Sequence, residues 1–406
     1  MRQRYDTYKD SGVQWLGEIP GHWGCVPLKR ICEMKSGNNL TSLDILDAGD
    51  FPVYGANGFR GYYNQFNKEG KYILIGRQGA LAGNVHLVDG KFWATDHAIV
   101  VTLTSNKVYV DYMSFALISM NLNQYAFDTA AQPGLAVSKI IPISAPIPPL
   151  SEQRSIVSFL DAKCGKIDEW VTKKQKEVEH LQELKQRVIA DAVTRGLNPH
   201  VKMKTTNIPW LKEIPEHWEM RKMKYLFDER SEKNHPDEPM LSATQSEGVI
   251  LQSKYQGRVV VVNTGFEGLK LVKVGDFVIH LRSFQGGIEY AHDRGIISSA
   301  YTILNPKYPE YSAYYKRLFK SSSFIDLLKI CVTGIREGQN INYSKLKQFS
   351  IPVPSIEEQK QIVSYLDAKC AKIDKLIVNI TKEIECIKEY KQRLISDVVT
   401  GQIKVC

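Results

Sequence analysis

The spacing of apolar and polar positions divides the chain into stretches of two kinds, and each kind occurs twice. Residues 71–76 (Lys-Tyr-Ile-Leu-Ile-Gly) and 275–280 (Gly-Asp-Phe-Val-Ile-His) are short apolar runs that predict buried strands. Residues 98–101 and 300–303 predict their later counterparts, and the glycine-rich residues 55–61 predict a turn-rich link between strands. Short helical stretches are expected at 111–121 and 311–319. Residues 141–149 and 349–354 carry prolines at strand spacing, which forbids a central strand and forces an extended exit. The period then changes. Ile167, Val171, Lys174, Val178, Leu181, Lys185, Val188 and Ala192 step by four and three, as do Ile373, Ile377, Ile380, Ile384, Ile387, Lys391, Leu394 and Val398. Sustained spacing of this kind predicts two long helices with a coiled-coil seam. Ser355 with Glu358 fits a capping box at the start of the second helix, and Ser151 is the expected cap of the first.

The two halves are copies of one frame. Trp15-Leu16-Gly17-Glu18-Ile19-Pro20-Gly21-His22-Trp23 returns as Trp210-Leu211-Lys212-Glu213-Ile214-Pro215-Glu216-His217-Trp218, and Leu160-Asp161-Ala162-Lys163-Cys164 returns letter for letter at 366–370. The offsets are 195 and 206, so the variable body between these markers is 11 residues longer in the second copy. A constant frame around varied contents predicts two readers for a two-part target. The expected architecture is α/β (α+β): two similar β-rich globular domains at 1–150 and 199–354, joined by an antiparallel two-helix coiled coil made of 151–198 and 355–406, with an internal pseudo-twofold axis.

At 406 residues, 43% hydrophobic and 10% aromatic, the chain is long enough for two or three globular domains and is not disordered. No apolar run is long enough for a membrane span, and the charged start (Met1-Arg2-Gln3-Arg4) predicts no secretory signal, so a cytoplasmic location is expected. Seven cysteines without Cys-x-x-Cys spacing predict buried or idle thiols rather than zinc ligands or a disulfide framework. The formal charge of +9 suits a nucleic-acid partner. Its distribution is modest, however: the first body (24–150) holds 10 basic and 9 acidic residues, the second (219–354) 19 and 14. Such a chain is expected to rely on partners for further phosphate contacts.

These residues resemble the DNA-specificity subunit of type I restriction–modification systems, over essentially the whole chain. The resemblance rests on 15–23, on Tyr54-Gly55-Ala56-Asn57-Gly58, on 75–81 (Ile-Gly-Arg-Gln-Gly-Ala-Leu) and on Pro148-Pro149-Leu150-Ser151-Glu152-Gln153. In the second half it rests on 275–287 and on Pro354-Ser355-Ile356-Glu357-Glu358-Gln359. It implies two target-recognition domains, each reading half of a split DNA site, with the paired helices as spacer. It also implies partners: double-stranded DNA, two methyltransferase (modification) subunits, and ATP-hydrolysing restriction subunits for cleavage. No catalytic residue, metal or cofactor of its own is expected. The sequence holds neither a phosphate-binding Gly-x-x-x-x-Gly-Lys-Ser/Thr loop nor a Gly-x-Gly-x-x-Gly turn nor the Asp/Asn-Pro-Pro-Tyr/Phe tetrapeptide of amino-methyltransferases. The rival readings are an enzyme with a disguised nuclease or methyltransferase site and a protein-only scaffold with two binding modules on a coiled-coil spacer.

Base edges are read mainly by Arg on guanine and by Asn or Gln on adenine. Arg77 and Gln78, just after the strand at 71–76, and Arg282 and Gln285, after the strand at 275–280, are therefore the leading DNA-binding candidates. Asn57, Arg60 and Tyr62 in the first body and Thr244, Gln245 and Arg336 in the second are secondary candidates. His22 and His217 have no cysteine or carboxylate at ligand spacing and are expected to serve packing.

Overall fold

The computed structural model of the protein describes residues 4–126, 134–257, 265–333 and 340–405. They form two compact units, one of Met1–Gln175 with Lys382–Cys406 and one of Lys176–Thr381.

The central sheet of the first unit is four-stranded and antiparallel, in the order Cys32–Ser36, Ala98–Leu103, Tyr72–Gly76, Val85–Val88. The apolar run at 72–75 is its third strand, with Ile75 opposite Ile99 and Ile73 opposite Val101. These four side chains share a core with Tyr112, Met113, Ala116 and Leu117 of the helix Val110–Ser119. A second sheet holds Gly58–Tyr63, Phe51–Gly55, Lys91–Ala94 and Lys68–Glu69 in that order. The turn-rich link expected at 55–61 is a tight hairpin, because the strand resumes at Gly58 and only Ala56 and Asn57 turn. Gly58, at φ +83°, supplies the left-handed backbone that ends the turn.

The second unit repeats the central sheet as Phe227–Arg230, Thr302–Pro306, Phe277–Ile279 and Glu289–Tyr290, all antiparallel, with the helix Ser312–Leu318 in its core. Ala300 and Tyr301, expected at the head of a strand, lie in the turn before it. The proline-spaced segments form the short strands Ser144–Ile147 and Ser350–Val353, each in a two-stranded ladder where a missing N–H is tolerated.

The helices run Leu150–Arg195 and Ile356–Val399, 46 and 44 residues. Every seam position read from the sequence is buried or half-buried, while the flanking positions are mostly exposed. In the first unit Ile156, Leu160 and Cys164 share a core with Leu394, Ile395, Val398 and Val399, and Lys391 bonds Asp168 at 2.7 Å. In the second unit Ile189, Ala192 and Val193 meet Ile362, Leu366 and Cys370, and Lys185 bonds Asp374 at 2.6 Å. In each unit the early part of one helix therefore lies against the late part of the other, and the pair is antiparallel. Ser355 caps the second helix by accepting from the Glu358 N–H at 3.2 Å. Ser151 does not occupy the matching place: the first helix begins at Leu150, and Gln153 N–H bonds to the Pro149 carbonyl as Gln359 N–H does to that of Ser355. Pro149 thus stands at the cap position without a side-chain acceptor.

Of the cysteines, the six in the described residues are free; burial pushes the Cys32 thiol up to about 12. Cys25 is half-buried and Cys386 exposed.

Candidate nucleic-acid interface

The Trp-flanked motif that opens each copy is a clamp on a helix start. Trp23 is fully buried, and its Nε1–H donates to Glu152 Oε2 at 3.0 Å. His22 Nε2 lies 2.6 Å from Glu152 Oε1, and the Tyr5 hydroxyl donates to Oε2 at 3.1 Å. In the second copy Trp218 and His217 each reach Glu358 Oε2 at 2.9 Å. The histidines have structural roles, but through carboxylates more than 100 residues away that spacing in the sequence does not connect. Burial pushes the Glu152 carboxyl up, yet the bonds from His22, Trp23 and Tyr5 leave it below the ordinary glutamate value. Each clamp also receives a helix end. Gly401 (φ +76°) packs on Pro20 and Trp23 and its carbonyl accepts from Tyr8 at 2.8 Å, while Gly196 (φ +75°) packs on Trp218 and Pro215.

Held in this frame, the strand Tyr72–Gly76 ends in the loop that carries Arg77 and Gln78. Arg77 N–H donates to the His97 carbonyl at 2.9 Å, and the Arg77 carbonyl accepts from Leu135 N–H at 2.8 Å. The loop backbone is therefore fastened on both sides. The Arg77 guanidinium is half-buried and reaches the Asp96 carbonyl at 3.3 Å, which uses one of its five donors. Gln78 is exposed and bridges Gly134 through its backbone. A Cβ on Gly76 would lie 2.5 Å from the Ala56 carbonyl, so only glycine lets the 56–57 turn approach this loop. Asn57, the other residue of that turn, is exposed. Arg60 is exposed on the following strand, and half-buried Tyr62 has its ring 5.2 Å from Phe59, which is 54% exposed. Phe59 is a surface aromatic that the residue-type criteria did not select.

In the second body Arg282 lies three residues beyond the strand end and caps a single helical turn, Ser283–Gly286. Arg282 and Gln285 are exposed. Gly286 lies under the Gln245 side chain, which a Cβ there would approach to 2.8 Å and which is flexible enough to move aside, so the turn that carries Gln245 adjoins this loop. Gln245 is exposed, but Thr244 is buried, with its hydroxyl donating to the Gly248 carbonyl and accepting from Glu247 N–H, both at 3.0 Å. Thr244 shapes the turn that presents Gln245. Arg336 lies outside the described residues.

Both hairpins rest on an imidazole: Gly58 packs against His86 and Gly248 (φ +79°) against His292. Burial lowers the pKa of both histidines, and Lys316 lowers that of His292 further. The identities of these histidines gave no sign of this, because the supporting residue is reached only through strand pairing. Among the described residues no cluster of His, Cys, Asp or Glu could hold a metal ion, and no helix is long and apolar enough to cross a membrane.

The chain matches the type I restriction modification DNA specificity domain over residues 20–180 and again over 211–386. It is 36% identical to the type I restriction enzyme EcoprrI specificity subunit of Escherichia coli over 165 residues, 39% of this chain and 40% of that protein. With the type I restriction enzyme MjaVIII specificity subunit of Methanocaldococcus jannaschii it shares 26% identity over 82% of this chain and 79% of that one. A solved structure concerned with assembly and conformational transition of the type I restriction–modification system shares the fold: TM-score 0.62 at 16% identity, covering 94% of this chain and 98% of the other. With a specificity domain matched in each half and the clamp, sheet and loop pair repeated between them, the chain belongs to the type I restriction–modification DNA-specificity family.

Proposed function

We propose that the chain is the sequence-reading subunit of a type I restriction–modification complex, in which each body reads one half of a split double-stranded DNA site. Partner methyltransferase subunits, two per chain, methylate an adenine in each half-site, and restriction subunits that hydrolyse ATP cut the DNA. The chain supplies specificity and the partners supply chemistry, S-adenosylmethionine included. The observation that supports this reading is the repeated exposure, on adjoining loops, of side chains of the types that read guanine and adenine: Gln78 and Asn57 with half-buried Arg77 in one body, Arg282, Gln285 and Gln245 in the other. Arg60, Tyr62 and the surrounding backbone amides position the duplex through its phosphates. Arg336 belongs to the same candidate set by sequence. With a net charge of only +9, the partners add phosphate contacts. The target adenine leaves the base stack to reach the partner's site. The working compartment is the cytoplasm, where the DNA is.

The test is adenine methylation mapped across a genome with and without this chain, in cells that contain its methyltransferase. A split motif that disappears with the chain is the expected result, and the two half-sites differ in sequence because the two loop pairs differ. An active methyltransferase whose motif is indifferent to the chain would favour the protein-only scaffold.

A further inference from the structure

The second body fastens its loop through a partly buried charge network, where, among the described residues, the first body uses backbone bonds. Glu289, on the strand Glu289–Tyr290, is fully buried, and its Oε1 accepts from Lys320 Nζ at 2.5 Å. The same ammonium donates to the Gly286 carbonyl at 3.0 Å and to the Gln245 carbonyl at 3.2 Å. An ammonium has three protons, and these three acceptors use them all. One cation thus ties the Arg282 loop to the hairpin turn of Gln245, segments far apart in sequence. His280 completes the base of the loop. Its Nδ1 accepts from Arg282 N–H at 3.2 Å, its own N–H donates to Ser283 Oγ at 2.9 Å, and its Nε2 lies 3.5 Å from Glu289 Oε1.

A buried ion pair is a poor source of stability, since apolar residues of similar volume often serve as well. It serves instead to fix one geometry, because Lys320 Nζ meets its three acceptors in that geometry alone. Lys320 spends two bonds on the segments that present Arg282, Gln285 and Gln245, and its third on Glu289, which holds the ammonium in place. In the first body the Arg77 loop is fastened through the His97 carbonyl and the Leu135 N–H.

We infer that Lys320 and Glu289 are positioning residues that set base discrimination at one half-site, the one read by the second body, and leave the other untouched. The inference rests on the assignment of the bodies as DNA readers. Base discrimination depends on holding side chains against base edges, and a wrong base pair costs about 1–3 kcal/mol, or roughly 5- to 150-fold.

The experiment uses the full chain assembled with its methyltransferase, on duplexes in which one half-site at a time is randomised. The double variant Glu289→Leu/Lys320→Met removes both charges together, so that neither is left buried alone, while Lys320→Arg keeps the cation and its donors. Expected for the double variant is a loss of discrimination of roughly tenfold or more at one half-site, none at the other, and a melting temperature close to that of the parent. Lys320→Arg retains most of the discrimination. Unchanged discrimination at both half-sites, or an equal fall at both in step with lost stability, overturns the inference. A parent complex without any base preference overturns the DNA-reading assignment itself, a result visible before any variant is made.

Discussion

The two recognition bodies have the same central sheet and different loops upon it. Strand order and antiparallel pairing agree from Cys32–Ser36 through Val85–Val88 and from Phe227–Arg230 through Glu289–Tyr290. On one sheet the loop is a turn fastened by backbone bonds of Arg77; on the other it is a helical turn fastened by Lys320, Glu289 and His280. The frame carries the apolar burial that folds each unit, so the loops contribute little to stability and are free to diverge. What stays constant is the place where a loop emerges, and what varies is how it is held and which side chains it offers.

The comparison is most severely tested at the clamps. Trp23→Ala and Trp218→Ala each remove a fully buried indole and are expected to cost about 3–5 kcal/mol in chemical denaturation. The two losses should be similar; a difference of several kcal/mol would show that the frame is not repeated energetically. At the loops, Arg77→Ala and Arg282→Ala should each lower discrimination at a single half-site, by about 1–3 kcal/mol in binding competition. Arg282→Ala should leave the melting temperature unchanged, because its side chain is exposed. Loss of discrimination at both half-sites from either change would break the assignment of one reader per body.

The helix ends separate the copies by a smaller margin. Gly196→Ala forces a left-handed alanine and is expected to cost about 1–2 kcal/mol. Gly401→Ala should cost more, since its Cβ would press on the Pro20 ring, whereas that at Gly196 meets the Glu358 carboxylate at 3.1 Å, which can move. The smallest expected effect is at Glu152. Its folded pKa is lowered, so its contribution is present above the unfolded value of 4.5 and is lost as the pH falls through the folded value. Glu152→Gln should cost about 1 kcal/mol at neutral pH and flatten that part of the acid limb of a stability–pH curve. An acid limb identical to the parent's would remove Glu152 from the account.

Much of the frame could be read directly. The seam positions Ile167 to Ala192 and Ile373 to Val398 form the buried stripe because helical period is a local property of the chain. The strand at 72–75 was legible for the same reason. Local signals misplaced the start of the first helix, where Ser151 looked like a cap although the helix starts at Leu150, and overstated the length of the turn-rich link at 55–61, which is confined to Ala56 and Asn57. The loop candidates were chosen by residue type, which singled out exposed Gln78, Arg282 and Gln285 but also Thr244, whose hydroxyl is consumed by its own turn.

The sequence by itself determined that there are two copies of one frame, that each ends in a long helix, and which family they resemble, because repetition, period and motif order are properties of the string. Only the tertiary structure decided that Glu152 and Glu358 are the acceptors of the two clamps, that Gly76 lets the 56–57 turn lie against its loop, and that Lys320 ties the Gln245 turn to the Arg282 loop. Those contacts join residues 20 to 147 positions apart. They form because burial of the sheets and the helix seam brings distant backbones together, and each polar group is then satisfied by whatever lies within about 3 Å.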